Sequence, residues 1–103
     1  MAPANGIYGT SKSALSTYMK YAALELAGKG IRCNAVQPGR INTPLISNRL
    51  LSEEDVTKDI EQYPMKRYGK PEEVAHAIIY LLSDASAWVT GTNLVIDGGR
   101  SLK

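Results

Sequence analysis

Two short apolar runs most constrain what this chain can fold into. Ile31 to Gln37 is largely apolar, partly β-branched, and stops at Pro38-Gly39. Asn93 to Ile96 repeats the pattern and stops at Asp97-Gly98-Gly99. Each reads as a buried strand, since β-branched side chains suit a packed pleated surface and proline has no N–H to extend a ladder. Between them, Pro71 to Leu82 is the clearest helix in the sequence. Proline opens it where a missing N–H costs nothing, and Glu72 and Glu73 meet the positive end of the helix dipole. Val74, Ile78 and Leu81 form its apolar stripe, thickened by Ala77 and Leu82. Strand, crossover helix, strand is one βαβ unit, so the strands are expected to run parallel with a right-handed connection.

A second helical pattern precedes the unit. From Tyr8 to Ala27 no proline intervenes, and Leu15, Met19, Ala22 and Leu26 recur at helical spacing. Ala14, Ala23 and Ala27 add good helix formers, and Gly28-Lys29-Gly30 supplies the stop. These glycines do not make a dinucleotide-binding GxGxxG: they follow a helix, and the third position is Cys33. From Arg40 to Gly69 the regularity is weak, and Pro44 and Pro64 interrupt it. A short helix around Glu53 to Gln62 is expected, with Ser52 as its N-cap and Asp55 at the third helical position. A long, weakly patterned stretch beside a strand end is where lids and substrate loops are found. Ser83 to Gly91 reads as a loop.

Composition narrows the function classes. A length of 103 residues allows one domain at most, and 44% hydrophobic with 21% charged residues is the balance of a soluble globular protein. No apolar run approaches the ~20 residues of a transmembrane helix. The net charge of +2, with Lys and Arg scattered along the chain, gives no electrostatic case for nucleic acid or a membrane surface. Cys33 is the single cysteine, so neither an internal disulfide nor a CxxC site can form. Within its apolar run it is expected to be a small buried thiol, compatible with a reducing, cytoplasmic setting. His76, the one histidine, sits in the Pro71–Leu82 helix without Cys or another His nearby, and no metal site is expected.

Tyr8-Gly9-Thr10-Ser11-Lys12 raises a separate question. Four residues apart on a helix, Tyr8 and Lys12 share a face, with Cβ atoms roughly 5–6 Å apart. The pair could be a packed phenol beside a solvated ammonium. It could also be an acid/base tyrosine whose phenolate the ammonium stabilises. The spacing alone does not separate the two, because Tyr-x-x-x-Lys is common on helices.

Four stretches taken together resemble the C-terminal part of a short-chain dehydrogenase/reductase. YGTSK at 8–12 is similar to the family's Y-x-x-x-K, and NAVQPGRINTPL at 34–45 to its N-x-V-x-P-G-x-I/V-x-T segment. GKPEEVAHAIIYLLSD at 69–84 is similar to its G-x-P-E-E-V-A helix, and VTGTNLVIDGG at 89–99 to its last strand and D-G-G close. All four stand in the family's order and at about its spacing. The resemblance implies an α/β chain: a C-terminal fragment of a Rossmann-type doubly wound parallel sheet, ordered helix, strand, loop or lid, helix, strand. Residues 1–103 would form a single partial domain. The family's glycine-rich T-G-x-x-x-G-x-G turn, its catalytic serine and its catalytic asparagine have no counterpart here, and Thr10 stands where the family often has alanine.

By this resemblance the function is NAD(P)-dependent hydride transfer between nicotinamide and a carbonyl or secondary alcohol, of the ketone or oxoacyl-thioester reductase type. Tyr8 matches the general acid/base. A tyrosine's ordinary pKa of ~10 makes it a poor base at neutral pH, and a fixed cation favours its phenolate. Lys12 matches that cation, which in the family also bonds the nicotinamide ribose. Pro38, Gly39, Ile41 and Thr43 match the loop that holds the nicotinamide carboxamide. Asn34 is read as structural, its amide tying strand to loop. Asp97-Gly98-Gly99 is read as a turn.

The alternative is a catalytically inactive fragment acting only as an oligomerising or structural module. By itself the chain is expected to bind NAD or NADP weakly or not at all, since the phosphate turn is absent. The expected partners are a small carbonyl or alcohol substrate and further copies of the chain, as a dimer or tetramer; neither nucleic acid nor membrane is expected.

Overall fold

A stretch with no proline after its first position forms a 25-residue helix, α1, Pro3–Ala27, with Gly6 and Gly9 in its first turns. It begins earlier than the periodicity suggests, with Pro3 at the first helical position, where its fixed φ is already helical. The structure, a computed structural model, describes residues 3–42 and 52–103, without the side chains of residues 3–5 and Tyr8. Gly30 closes α1 at φ 75°, and its N–H reaches the Ala27 carbonyl at 3.0 Å.

The other elements among the described residues follow in chain order: β1 (Ala35–Pro38), α2 (Glu53–Glu61), α3 (Pro71–Leu82), a 3₁₀ turn (Asp84–Ser86), β2 (Asn93–Ile96) and a 3₁₀ turn (Arg100–Leu102). The strands pair in parallel, Ala35 opposite Asn93 through Pro38 opposite Ile96. Ser52 caps α2, its hydroxyl accepting from the Asp55 amide at 3.1 Å. Glu73 caps α3, its carboxylate accepting the Lys70 N–H at 2.8 Å.

Strand β1 is shorter at its start than the apolar run. Ile31 to Asn34 form no ladder, because their polar groups bond the loop before β2. The Cys33 amide donates to Thr90 Oγ1 at 3.1 Å, the Cys33 carbonyl accepts from Gly91 N at 2.8 Å, and the Arg32 guanidinium donates to the Ser83 and Val89 carbonyls. Cys33 is accordingly half-buried, not buried. Asn34 ties the strand to the loop as expected: its Nδ2 donates to the Val89 carbonyl and its Oδ1 accepts from Thr92 N, both at 3.0 Å.

Among the described residues the core is small: Met19 and Ala23 on α1, Tyr63, Leu81 on α3, and the hydroxyl of Ser86, which donates toward the Leu81 and Ser83 carbonyls. Several residues expected in the core lie outside it: Ile31, Ile78 and Val95 are exposed, and both strands, expected to be buried, are at best half-buried. Leu15 is 69% and Leu82 80% exposed, and Ala23, not Leu15, is the close partner of Met19 in the buried stripe of α1. Helical periodicity identifies a face but not the length of it that another element covers. The radius of gyration, 16.2 Å, exceeds the ~13 Å of a compact domain of this size. A helix of this length is about 37 Å long and extends past a two-stranded sheet.

Candidate active site

The expected site residues fall at two places. Lys12, in the first half of α1, lines a cleft of about 550 Å³ between α1 and β1. The cleft is also lined by Ser13, Ser16 and Met19 from α1, by Asn34 and the β1 residues Ala35 to Gln37, and by Asn93. Asn93 Nδ2 donates to Gln37 Oε1 at 2.6 Å, so a polar pair crosses the two strands at the floor. The Tyr8 side chain lies outside the described residues; its backbone is on α1, one turn before Lys12.

The second place is the carboxyl end of the sheet. Pro38 is the last residue of β1, and the Gly39 amide continues the pairing by donating to the Ile96 carbonyl at 2.9 Å. Gly39 is closely packed there: a Cβ would stand 3.0 Å from Asp97 Cβ and from Tyr63 Cε1, and those neighbours would have to give way. Ile41 forms an isolated parallel bridge with Gly69, flanked by Gly69 N to the Arg40 carbonyl at 3.0 Å and Asn42 N to the Gly69 carbonyl at 2.8 Å. Thr43 lies outside the described residues. Gly39 and Ile41 line a separate cavity of about 260 Å³ with Arg40, Tyr63, Met65, Arg67 and the Asp97–Gly99 turn. Lys12 does not line it, so the described residues bring Lys12 and the Gly39–Ile41 loop to adjoining places, not to one pocket.

Sequence reasoning missed what holds this loop. Tyr63 is buried, and its hydroxyl accepts from the Arg40 amide at 3.0 Å. The Arg40 guanidinium reaches Asp59 Oδ2 on α2 at 2.6 Å, and Tyr68 donates its hydroxyl to the same oxygen at 2.6 Å. Tyr68 stands edge-on to Tyr63 and lies beneath the Arg40 guanidinium. Burial, and then the bond to Asp59, push the Tyr68 hydroxyl above its ordinary value, while Tyr68 and then Asp59 hold Arg40 above its own against partial burial.

The turn after β2 is a seat as well as a turn. Gly98 and Gly99 have φ of 58° and 89°, and a Cβ on Gly99 would stand 3.0 Å from Pro64 Cγ. Met65 N donates to the Gly98 carbonyl at 3.1 Å. Burial raises the Asp97 carboxyl, but bonds from Ser101, Gly99 and Arg100 outweigh it and leave its pKa lowered. Arg67 grips Glu73 with both guanidinium nitrogens, at 2.7 and 2.9 Å. That grip, with the Lys70 N–H, brings the Glu73 carboxyl down to about 2. His76 is exposed, and among the described residues no group of His, Cys, Asp and Glu could hold a metal ion. None of the described helices is long and apolar enough to cross a membrane.

Two parallel strands joined through a helix, with a glycine turn at the strand end, form the building unit of doubly wound α/β sheets. Comparison with known proteins agrees. An enoyl-(acyl carrier protein) reductase family model matches residues 1–101. Glucose 1-dehydrogenase 2 of Bacillus subtilis (strain 168) is 45% identical over 101 residues, which are 97% of this chain and 38% of that protein. The 3-oxoacyl-(acyl-carrier-protein) reductase FabG of Thermotoga maritima is 44% identical over 97 residues, 94% of this chain and 39% of that one. Among solved structures, a short-chain type dehydrogenase/reductase from Mycobacterium ulcerans superposes with TM-score 0.84 at 38% identity, over 93% of this chain and 35% of that chain. A 4-hydroxyisoleucine dehydrogenase complexed with NADH does so with TM-score 0.85 at 32% identity, over 93% of this chain and 40% of that chain. The chain belongs to the short-chain dehydrogenase/reductase family, and its fold is the C-terminal part of that family's Rossmann-type sheet. It spans roughly two-fifths of the length of the curated relatives it matches.

Proposed function

We propose that this chain is the carboxyl-terminal part of an NAD(P)-dependent oxidoreductase acting on a small carbonyl compound or secondary alcohol, of the ketone or oxoacyl-thioester reductase type. The observation that carries the reading is the placement of Lys12. It lies on the wall of a polar-floored cleft beside β1, one helical turn from Tyr8, with the Gly39–Ile41 loop at the adjoining strand end. Ligands of open α/β sheets bind outside the carboxyl ends of the strands. The donors at this end, together with Lys12 in the neighbouring cleft, suit the nicotinamide half of the cofactor. Lys12 would hold the ribose, while the backbone at Ile41 and the Thr43 hydroxyl, with Pro38 and Gly39 shaping the turn, would hold the carboxamide. When bound, the cofactor gives or takes the hydride.

The residues of the chain handle the proton. In reduction, the Tyr8 hydroxyl donates to the substrate oxygen as it gains charge; in oxidation, the phenolate takes the proton back. The Lys12 ammonium favours the phenolate through Coulomb attraction across one helical turn. General acid/base action of this kind contributes roughly 10²–10⁴ in rate. A cytoplasmic setting and assembly as a dimer or tetramer belong to the same reading. Assembly is supported by exposed Leu15, Tyr18, Tyr21 and Leu24 on α1.

The test is to read the encoding DNA upstream in frame for a T-G-x-x-x-G-x-G turn and to assay the protein of the whole reading frame. Oxidation of NADH or NADPH with a carbonyl substrate, lost on Tyr8→Phe with cofactor affinity near wild type, is expected. Lys12→Ala should impair both turnover and affinity. Undiminished turnover in Tyr8→Phe would remove the catalytic assignment. The 103-residue chain by itself is expected to oxidise neither cofactor above background; if it does so in a Tyr8-dependent manner, the weak-binding expectation is wrong.

A further inference from the structure

The described residues concentrate four short bonds where the end of β1 meets α2. The Arg40 side chain is held by Asp59 and its amide by the Tyr63 hydroxyl. Asp59 Oδ2 also receives the Tyr68 hydroxyl, and the Arg40 carbonyl accepts from Gly69 N. Asp59 is 19 residues from Arg40 in sequence and on a different element. The Arg40 and Asp59 side chains remain 45% and 30% exposed. Ion pairs this open to solvent contribute little to global stability. Their effect is local: they set the distance between the strand-end loop and α2.

We propose that Asp59 is a positioning residue, which through Arg40 and Tyr68 fixes the backbone of the Gly39–Asn42 loop against α2. Three features of the geometry support it. One carboxylate oxygen gathers a cation and a hydroxyl, each at 2.6 Å, so a single side chain locks two segments. The Arg40 guanidinium also lies over the Tyr68 ring, 6.0 Å from its centroid, and that ring stands edge-on to Tyr63. Arg40 immediately precedes Ile41, so a rotation of Arg40 is transmitted to the Ile41 peptide and to its bridge with Gly69. In the oxidoreductase reading, that peptide is the one facing the carboxamide, and Asp59 would act on cofactor affinity without touching the cofactor.

The experiment has two arms, and only the second rests on the oxidoreductase reading. In the first, amide hydrogen exchange is followed in the 103-residue chain and in its Asp59→Asn and Asp59→Glu variants. Removing the charge should speed exchange at Arg40, Asn42 and Gly69 about tenfold, as expected for loss of charge-assisted bonds at a partly exposed site. Ala35 and Gly91, bonded at the other end of the sheet, should be unchanged, and Asp59→Glu should restore part of the protection. Equal acceleration at Ala35 and Gly91, no acceleration at the junction, or no protection there in the wild type would each overturn the proposal. In the second arm, Asp59→Asn in the protein of the whole reading frame should raise the cofactor KM about tenfold with kcat within about threefold, the split expected of lost uniform binding. An unchanged KM overturns the link to the cofactor. Absence of turnover in the wild type would sink the oxidoreductase reading, and the exchange arm would then decide the positioning role alone.

Discussion

Helix α1 is the longest described element, yet among its described side chains the buried ones are Met19 and Ala23. The junction at the carboxyl ends of β1 and β2 is built from short segments, yet Tyr63, Arg40, Asp59, Tyr68, Gly39 and the Gly98-Gly99 turn lock one another there. The first region is held by its own backbone. Its 25 residues exceed the ~12–15 below which isolated helices are marginal, and its better helix formers lie in its second half. The second is held by contacts between residues distant in sequence. Strength therefore does not follow element length here: α1 should be tolerant within and sticky without, and the junction intolerant of small changes.

The largest expected effect breaks the comparison on the α1 side. Tyr18 and Tyr21 are exposed on its outer face, and aromatic anchors of this kind carry roughly 2 kcal/mol or more each where they are buried by a partner. A Tyr18→Glu/Tyr21→Glu variant should therefore weaken self-association at least about a hundredfold, while helix content is kept. Sedimentation of both proteins at micromolar concentration checks this. A wild-type chain that sediments as a compact monomer and unfolds cooperatively would remove the assembly reading altogether.

On the junction side, Gly39→Ala puts a Cβ 3.0 Å from two side-chain atoms and 3.1 Å from the Asp97 Cα. Overpacking against backbone costs about 1–3 kcal/mol, and a value near the top of that range is expected in urea unfolding. Met19→Ala tests how firmly α1 is anchored. Buried Met to Ala costs about 2–5 kcal/mol in full cores, and with one side of α1 open the lower end, about 2 kcal/mol, is expected. A cost above that of Gly39→Ala would reverse the comparison.

Two smaller effects sharpen it. Lys66 holds φ 59° in the turn beside the Gly98 seat. Lys66→Gly should raise stability by about 0.5–1 kcal/mol, relief of left-handed strain exceeding the added freedom of the unfolded chain. The smallest effect is an acid one. The Glu73 carboxyl sits near 2, held first by Arg67 and then by the Lys70 N–H. A carboxyl depressed in the folded state stabilises above its unfolded value of ~4.3, and that contribution fades as pH falls toward 2. Glu73→Gln should flatten the stability profile between about pH 4.5 and pH 2 and leave its shape near neutrality unchanged. An identical acid limb in the two proteins would show that the exposed pair adds nothing.

Much of the local structure was legible. The bounds of α3 and β2, the Ser52 cap, the glycine stop after α1 and the tie made by Asn34 all follow from residue types whose preferences act within a few positions. The candidate site was legible as motifs and not as a place. Nothing in YGTSK or NAVQPGRINTPL says that Lys12 and the Gly39–Ile41 loop line adjoining cavities. Nor does it say that Arg40 finds Asp59 across 19 residues and Tyr63 across 23.

The division has a physical cause. Proline's missing N–H, glycine's access to positive φ and the 3.6-residue apolar stripe operate on the chain itself, so the sequence determined the order and type of the elements. Which apolar face is covered depends on what lies opposite, and that is why Leu15 and Leu82 emerged exposed while Ala23 was buried. The charge network at the strand end depends in the same way on the approach of α2 and the Tyr63–Tyr68 segment to β1. Distances of that kind are set by the packing of whole elements, and only the tertiary structure could decide them.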